Sequence, residues 1–344
     1  MSLSFAVALA LTAGTPQARM LDPGVISTTA NEFGGAISPD GRELWYSSGV
    51  PPYYMEAIFF SRRLPNGHWG PRQLAPFSGR WHDFDPVFSP DGKRVLFISD
   101  RPTRPGELKR DYDIWYADRQ ADGRWSRAHR LPEPVNSVPD ANGNGGREEF
   151  ASVAADRTIY FAGDPRGSDG AAGGGMPGMG GGMAIYRVPY SNGRYGTPER
   201  LPNVINFTGV VGEPVIAPDQ SYMFFSAFGA PGGYGNWDVY FARRGADGQW
   251  QTPRNLGPAV NTAERDYSPR LAPDGHTLLF TSERYFGSGG RRLDFATIRR
   301  GMASLLNGQG NIYTIDVRAL GIGTLHLMMK SPRGWRRCGP RHDW

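Results

Sequence analysis

Short apolar stretches alternate with polar turns along this chain, and one arrangement keeps returning. An apolar run leads into Pro-Asp-Gly, and an aromatic-rich run follows that ends near Ser. The phrase reads AISPDGRELWYSS from Ala36, VFSPDGKRVLFIS from Val87, VIAPDQSYMFFSA from Val215 and RLAPDGHTLLFTS from Arg270, with a shortened copy, VAADRTIYFAG, from Val153. Pro presets φ, Asp bonds its own backbone and Gly accepts a positive φ, so each phrase predicts a tight hairpin. The flanking β-branched and aromatic runs predict its two strands.

Two further strands complete each unit. A third is expected at Ala57-Ile-Phe-Phe, Asp113-Ile-Trp-Tyr, Ala184-Ile-Tyr, Asp238-Val-Tyr-Phe and Asn311-Ile-Tyr-Thr-Ile. Turns follow at Asn66-Gly67, Asp122-Gly123, Asn192-Gly193 and Asp247-Gly248, then an aromatic and a Leu, as in Trp69 and Leu74 or Trp250 and Leu256. The repeated Asp residues (Asp40, Asp91, Asp156, Asp219, Asp274) are 51, 65, 63 and 55 residues apart. A repeat of that length with four short antiparallel strands is the signature of a propeller blade. The expected fold is therefore all-β, one propeller of five four-stranded blades spanning 19–320. A six-bladed ring is the alternative and would need a blade lacking the motif. The last unit has no fourth strand of its own. Residues near Asp22 to Thr28 match the end of a fourth strand and are expected to supply it, locking the first blade to the last and removing free edges.

The rest of the chain modifies this picture at its ends. An apolar run from Leu3 to Gly14, followed by small and polar residues, has the length of a signal-peptide core and is too short to span a bilayer. Residues 1–18 are therefore expected to be a signal peptide, with the mature chain periplasmic or secreted. The tail, 321–344, carries five basic residues and one acid, which leaves residues 1–320 at +1 out of a formal net charge of +5. A near-neutral propeller excludes a nucleic-acid surface, and the tail is read as basic and irregular. The single cysteine, Cys338, allows no internal disulfide.

The repeat resembles the WD-like Pro-Asp repeat of the TolB-type β-propeller superfamily. The carriers are FSPDG at Phe88, LAPDG at Leu271, Phe97-Ile-Ser-Asp-Arg101, Phe280-Thr-Ser-Glu-Arg284 and the Asp-Ile-Trp strands, within a span from about Asp22 to Ile315. The resemblance implies a propeller that binds a protein or peptide partner without catalysis.

That scaffold limits the chemistry the residues can perform. No Gly-x-Ser-x-Gly elbow is present, and the chain leaves no room for a hydrolase domain. The repeated Asp of the turns is read as a turn former with no chemistry. The best constellation is a set of acids read as lying just before each first strand: Glu32, Asp83 with Asp85, Glu149, Glu213 and Asp266. Repeat symmetry predicts that they ring one mouth of the central channel, with His82, Arg101 and Arg284 in support. Such a ring can dock a basic partner segment, or house an acid and base for carbohydrate cleavage if neighbours split their pKa values. In the alternative reading, each acid bonds backbone amides of the next turn or pairs with arginines such as Arg101 and Arg284. No motif calls for a cofactor, and Ca²⁺ is the one ion whose oxygen ligation the ring would suit. The expected protein is a monomer with a protein or peptide partner, no nucleic acid and no integral membrane segment.

Overall fold

Each Pro-Asp-Gly phrase folds as the turn between the first two strands of an antiparallel sheet. In all five turns the Asp side chain accepts from the backbone N–H two residues on: Asp40 from Arg42, Asp91 from Lys93, Asp156 from Thr158, Asp219 from Ser221 and Asp274 from His276, at 2.9–3.1 Å. The next position has a positive φ in every copy: Gly41, Gly92, Arg157, Gln220 and Gly275. The backbone geometry is thus kept even where glycine has been lost, and Arg157 and Gln220 carry the steric cost of roughly 1 kcal/mol.

The computed structural model describes residues 16–50, 55–104, 112–137, 146–164, 182–287, 290, 292–323, 325, 328–331 and 334–337. Five four-stranded sheets are arranged as blades. Blade one is Asn31–Ile37, Glu43–Val50, Met55–Arg62 and Gln73–Leu74. Blade two is Asp83–Phe88, Arg94–Ser99, Asp113–Asp118 and His129–Arg130. Blade three is Arg147–Val153, Ile159–Asp164, Ala184–Val188 and Glu199–Arg200. Blade four is Val211–Ile216, Tyr222–Phe228, Trp237–Arg243 and Arg254–Asn255. Blade five is Asp266–Leu271, Thr277–Ser282 and Asn311–Asp316, completed by Arg19–Met20 from the other end of the chain. An eight-residue helix, Phe295–Met302, lies between its second and third strands, with Asp294 capping the Thr297 N–H. No helix among the described residues is long and apolar enough to cross a membrane.

The ring closes as the repeat requires, a few residues earlier than expected. Arg19 and Met20 pair with Thr314 and Tyr313, and the Leu21 N–H donates to the Ile312 carbonyl. Asp22 to Thr28 form the turn that follows, as Gly257 to Asn261 do after the fourth strand of blade four. That turn is pinned to the third strand in each blade. Asn136, Asn206 and Asn261 accept from the N–H groups of Ile114, Ile185 and Val239, and Ser78 accepts from that of Ile58. In the closing blade, the Ser27 hydroxyl donates to the Ile312 carbonyl instead.

Aromatic side chains fill the space between blades. Trp45 of blade one is fully buried against Phe88 and Trp125 of blade two, with ring centroids 5.8 and 5.2 Å apart. Blade one approaches blade five so closely that a Cβ on Gly35 would lie 2.9 Å from Ile312 Cδ1. The packed core continues past the third strand of blade five to Ile322 and Leu325, both buried. The Gly- and Met-rich segment from Gly167 lies outside the described residues, apart from its end at Met183.

Candidate functional site

The five innermost strands share one irregularity. In each, the register with the second strand slips by a bulge: after Phe33, Phe84, Glu149, Gly212 and Tyr267. The residue that follows has φ between +47° and +65°: Gly34, Asp85, Phe150, Glu213 and Ser268. A bulge re-aims its side chain, and four non-glycine residues accept left-handed strain of order 1–3 kcal/mol each to hold it. The result is a set of side chains that cross between blades.

Asp85 of blade two reaches over blade one, where Gly34 leaves room; a Cβ there would sit 2.7 Å from Asp85 Oδ1. Its carboxylate makes an ion pair with Arg270 of blade five at 2.7 Å, and its N–H donates to Ser47 of blade one. Glu213 of blade four accepts from the N–H and hydroxyl of Ser268 in blade five, both at 2.7 Å. These contacts tie the blades together around the axis. Burial pushes the carboxyls of Asp85 and Glu213 above their usual range. The Arg270 charge opposes the shift at Asp85, and the Asp85 charge adds to it at Glu213.

The other acids of the expected ring divide by position. Glu32, Asp83 and Asp266 occupy the same place in blades one, two and five, each opposite a serine of the second strand. Each is consumed locally. Glu32 accepts from the N–H and hydroxyl of Thr28, at 2.8 and 2.6 Å. Asp266 accepts from the N–H and hydroxyl of Thr262, at 2.5 and 2.7 Å. Asp83 accepts from Ser78 and pairs with Arg101. Arg101 also donates to the Phe77 carbonyl and lies over Phe97 and Trp115. Arg284 repeats the arrangement in blade five, donating to the Val260 carbonyl, lying over Tyr313 and approaching Asp266 to 3.9 Å. All three carboxyls are fully buried, and burial raises their pKa values.

Glu149 lies one position before the bulge, where three other blades have Phe33, Phe84 and Tyr267. It is buried and accepts from Arg147 Nε at 3.1 Å. Near it lies Glu56, at the start of the third strand of blade one and 4% exposed. Among the described residues nothing hydrogen-bonds the Glu56 side chain; its one ionisable contact is His82 Nδ1, 3.9 Å away. Burial, then the charges of Glu149, Asp100 and Asp85, push its carboxyl up to about 8. His82 is held in turn by its N–H on Asp100 Oδ1 at 3.0 Å, and its side chain is 27% exposed. Burial raises the Tyr112 hydroxyl, with Glu56, Asp100 and Glu149 adding to the effect. Glu56, His82, Asp85, Asp100, Tyr112 and Glu149 therefore share one electrostatic neighbourhood on the side of the axis formed by blades one, two and three.

Repeat symmetry pointed to Glu149, Asp85 and His82 but not to Glu56, Asp100, Arg147 or Arg270. The available signal was a break in the repeat. Glu56 stands where other blades place Tyr112, Met183 and Trp237, and Arg270 stands where they place Ala36, Val87, Ser152 and Val215. Among the described residues, no group of three or more His, Cys, Asp or Glu side chains is arranged to hold a metal ion.

No family model matches the chain, and no curated protein matches it. Solved structures do. The chain is similar to inulosucrase from Halalkalicoccus jeotgali bound to kestose, with 13% identity, 88% of this chain and 89% of that one covered, and a TM-score of 0.50. It is similar to the GH43 endo-arabinanase from Bacillus licheniformis, with 10% identity, 92% and 98% covered, and a TM-score of 0.47. It is also similar to TolB from Acinetobacter baumannii, with 16% identity, 83% of this chain covered, and a TM-score of 0.44; the chain spans 55% of TolB's length. At these identities the likeness is one of fold.

Proposed function

We propose that this chain is an exported binding propeller, and that its ligand site is the acidic neighbourhood of Glu56, Asp85, Asp100 and Glu149 between blades one and three. The reading follows the TolB-type repeat and assigns the site a basic segment of a protein or peptide. The observation that carries it is Glu56. A buried carboxyl with no hydrogen bond among the described residues is costly to ionise, and an incoming ammonium or guanidinium supplies the charge that stabilises its carboxylate. The cations already nearby, Arg147 and Arg270, are engaged with Glu149 and Asp85. Glu213 ties blade four to blade five through Ser268, while Glu32, Asp83 and Asp266, with Arg101 and Arg284, hold the blade junctions. Export rests on the apolar run from Leu3 to Gly14.

Calorimetric titration with short peptides bearing Lys or Arg, against Glu-bearing controls, tests this. Binding of the basic peptides, weakened by salt and by Glu56→Gln with Glu149→Gln, supports the reading. Equal binding of basic and acidic peptides, or none, overturns it.

One observation favours a second reading. A carboxyl held protonated to about pH 8 beside a second carboxylate is the arrangement of an acid and base in glycoside cleavage. Turnover of aryl glycosides by the unaltered chain, abolished by Glu56→Gln, would establish it in place of the scaffold.

A further inference from the structure

Among the described residues, only blade five places a helix between its second and third strands. The base of this insertion is fixed. The Phe286 N–H donates to the Leu306 carbonyl at 2.7 Å, Asn307 Nδ2 to the Thr29 carbonyl at 2.9 Å and Asn311 Nδ2 to the Leu305 carbonyl at 2.8 Å. Gly301 is the buried residue of the helix, and a Cβ there would strike the Phe286 ring. The helix therefore packs through its smallest residue and leaves its largest outside. Phe295, Ile298 and Met302, at its first, fourth and eighth positions, form one stripe. Phe295 is 78% exposed and Met302 68%. Five of the twelve exposed large hydrophobic residues lie between Tyr285 and Leu306, so the patch is a local concentration and not the usual scatter. The same stretch carries four arginines and one acid, a net charge of +3. The acid, Asp294, is spent on the Thr297 N–H at 2.7 Å. Arg292, Arg299 and Arg300 are exposed; Arg300 donates to the Thr297 hydroxyl at 3.0 Å, and Arg292 and Arg299 pair with no acid among the described residues.

We propose that this helix docks the propeller on an anionic lipid surface, with Phe295, Ile298 and Met302 entering the acyl boundary and Arg292, Arg299 and Arg300 meeting the head-group phosphates. An apolar stripe bordered by arginines on an otherwise polar helix is the pattern that lies in the plane of a bilayer interface. Charge and exposure select the occupant. An apolar stripe alone would suit any apolar partner, but a stretch at +3 calls for an anionic one. Phe295 and Met302 are open over most of their surface, so whatever covers them must enclose them from several sides. Fluid acyl chains do so without a preformed pocket. The contact is separate from the acidic neighbourhood between blades one and three, where Glu56, Asp85 and Glu149 are buried.

The test is co-sedimentation of the full chain with vesicles of phosphatidylcholine alone, or of phosphatidylcholine and phosphatidylglycerol in equal parts. Binding is expected to be at least about tenfold tighter to the anionic vesicles and to weaken with salt. Arg299→Gln with Arg300→Gln should weaken it by on the order of thirtyfold. Phe295→Ser with Met302→Ser should weaken it by at least about tenfold at unchanged charge. Both pairs are exposed, so the melting temperature of each variant should match that of the unaltered chain; if one pair does not fold, the other decides. Equal binding to the two kinds of vesicle overturns the proposal. So does binding that the substitutions leave unchanged, which the basic tail or the apolar run from Leu3 would give. No binding to either vesicle also overturns it and leaves an acidic protein as the partner.

Discussion

Two sets of carboxylates lie near the axis, and they differ in how far the repeat accounts for them. Glu32, Asp83 and Asp266 stand at one equivalent position, which blade three fills with the buried Glu148, and each of the three accepts from a Ser or Thr in the turn that enters its blade. Glu56 and Glu149 each stand where no sister blade has an acid, and Asp85 and Glu213 share the bulge position, where the other blades carry Gly34, Phe150 and Ser268. A repeated residue does the same structural job in each copy, because each blade must solve the same junction. A ligand site on an axis has one orientation, so its residues are expected to break the repeat. The comparison teaches that in a propeller, chemistry is to be sought in the exceptions.

The largest effect expected separates the two sets by stability. Arg101→Ala leaves the Asp83 carboxylate buried without its cation, a loss of about 3–5 kcal/mol in denaturant unfolding, with peptide binding unchanged in the folded fraction. Loss of binding without loss of stability would place Asp83 in the ligand set instead.

Glu56 should behave in the opposite sense. Its folded pKa, about 8, lies above its usual value near 4.5, so the native state holds a proton that the unfolded chain releases between those values. Wild-type stability therefore falls as pH rises from about 5 to 8, by on the order of 3 kcal/mol. Glu56→Gln should remove its share of that slope, melting higher than wild type at pH 8.5 and about equal to it at pH 5. A slope that the substitution leaves unchanged would assign the titration elsewhere.

Smaller effects test the bulge and the turn. Gly34→Ala places a Cβ on Asp85 Oδ1 at a φ of +65°, at a cost of about 2 kcal/mol, and should weaken basic-peptide binding by displacing Asp85. Asp91→Ala removes acceptors for Ser89 and Lys93 at the hairpin turn between the first two strands of blade two, and should cost about 1 kcal/mol by thermal melting without altering peptide binding.

The architecture was legible because it repeats. Five Asp residues in one local setting, and third strands led by Asp, Ala or Asn, fix four strands per unit through local chemistry alone. The closing strand was legible in kind but displaced, because Asp22 to Thr28 copy the turn after a fourth strand more closely than Arg19 and Met20 copy the strand itself. A strand of two residues carries almost no pattern. The site was legible only in part. Asp85, Glu149 and Glu213 stood out as acids read as preceding the first strands, whereas they lie within them, and the bulge that turns Asp85 and Glu213 across the blades depends on register, which no residue type announces. Glu56 and Arg270 come to the axis from outside the equivalent acid positions, so only tertiary packing joins them to the rest.

The most direct measurement of the ligand site is a carbon-detected NMR titration of the Glu56 carboxyl, with and without an oligolysine peptide. The account predicts a midpoint near 8 in the free protein, falling by two units or more when the cationic peptide fills the neighbourhood of Glu56, Asp100 and Glu149. A midpoint near 4.5 in the free protein, or one that the peptide leaves unmoved, contradicts it.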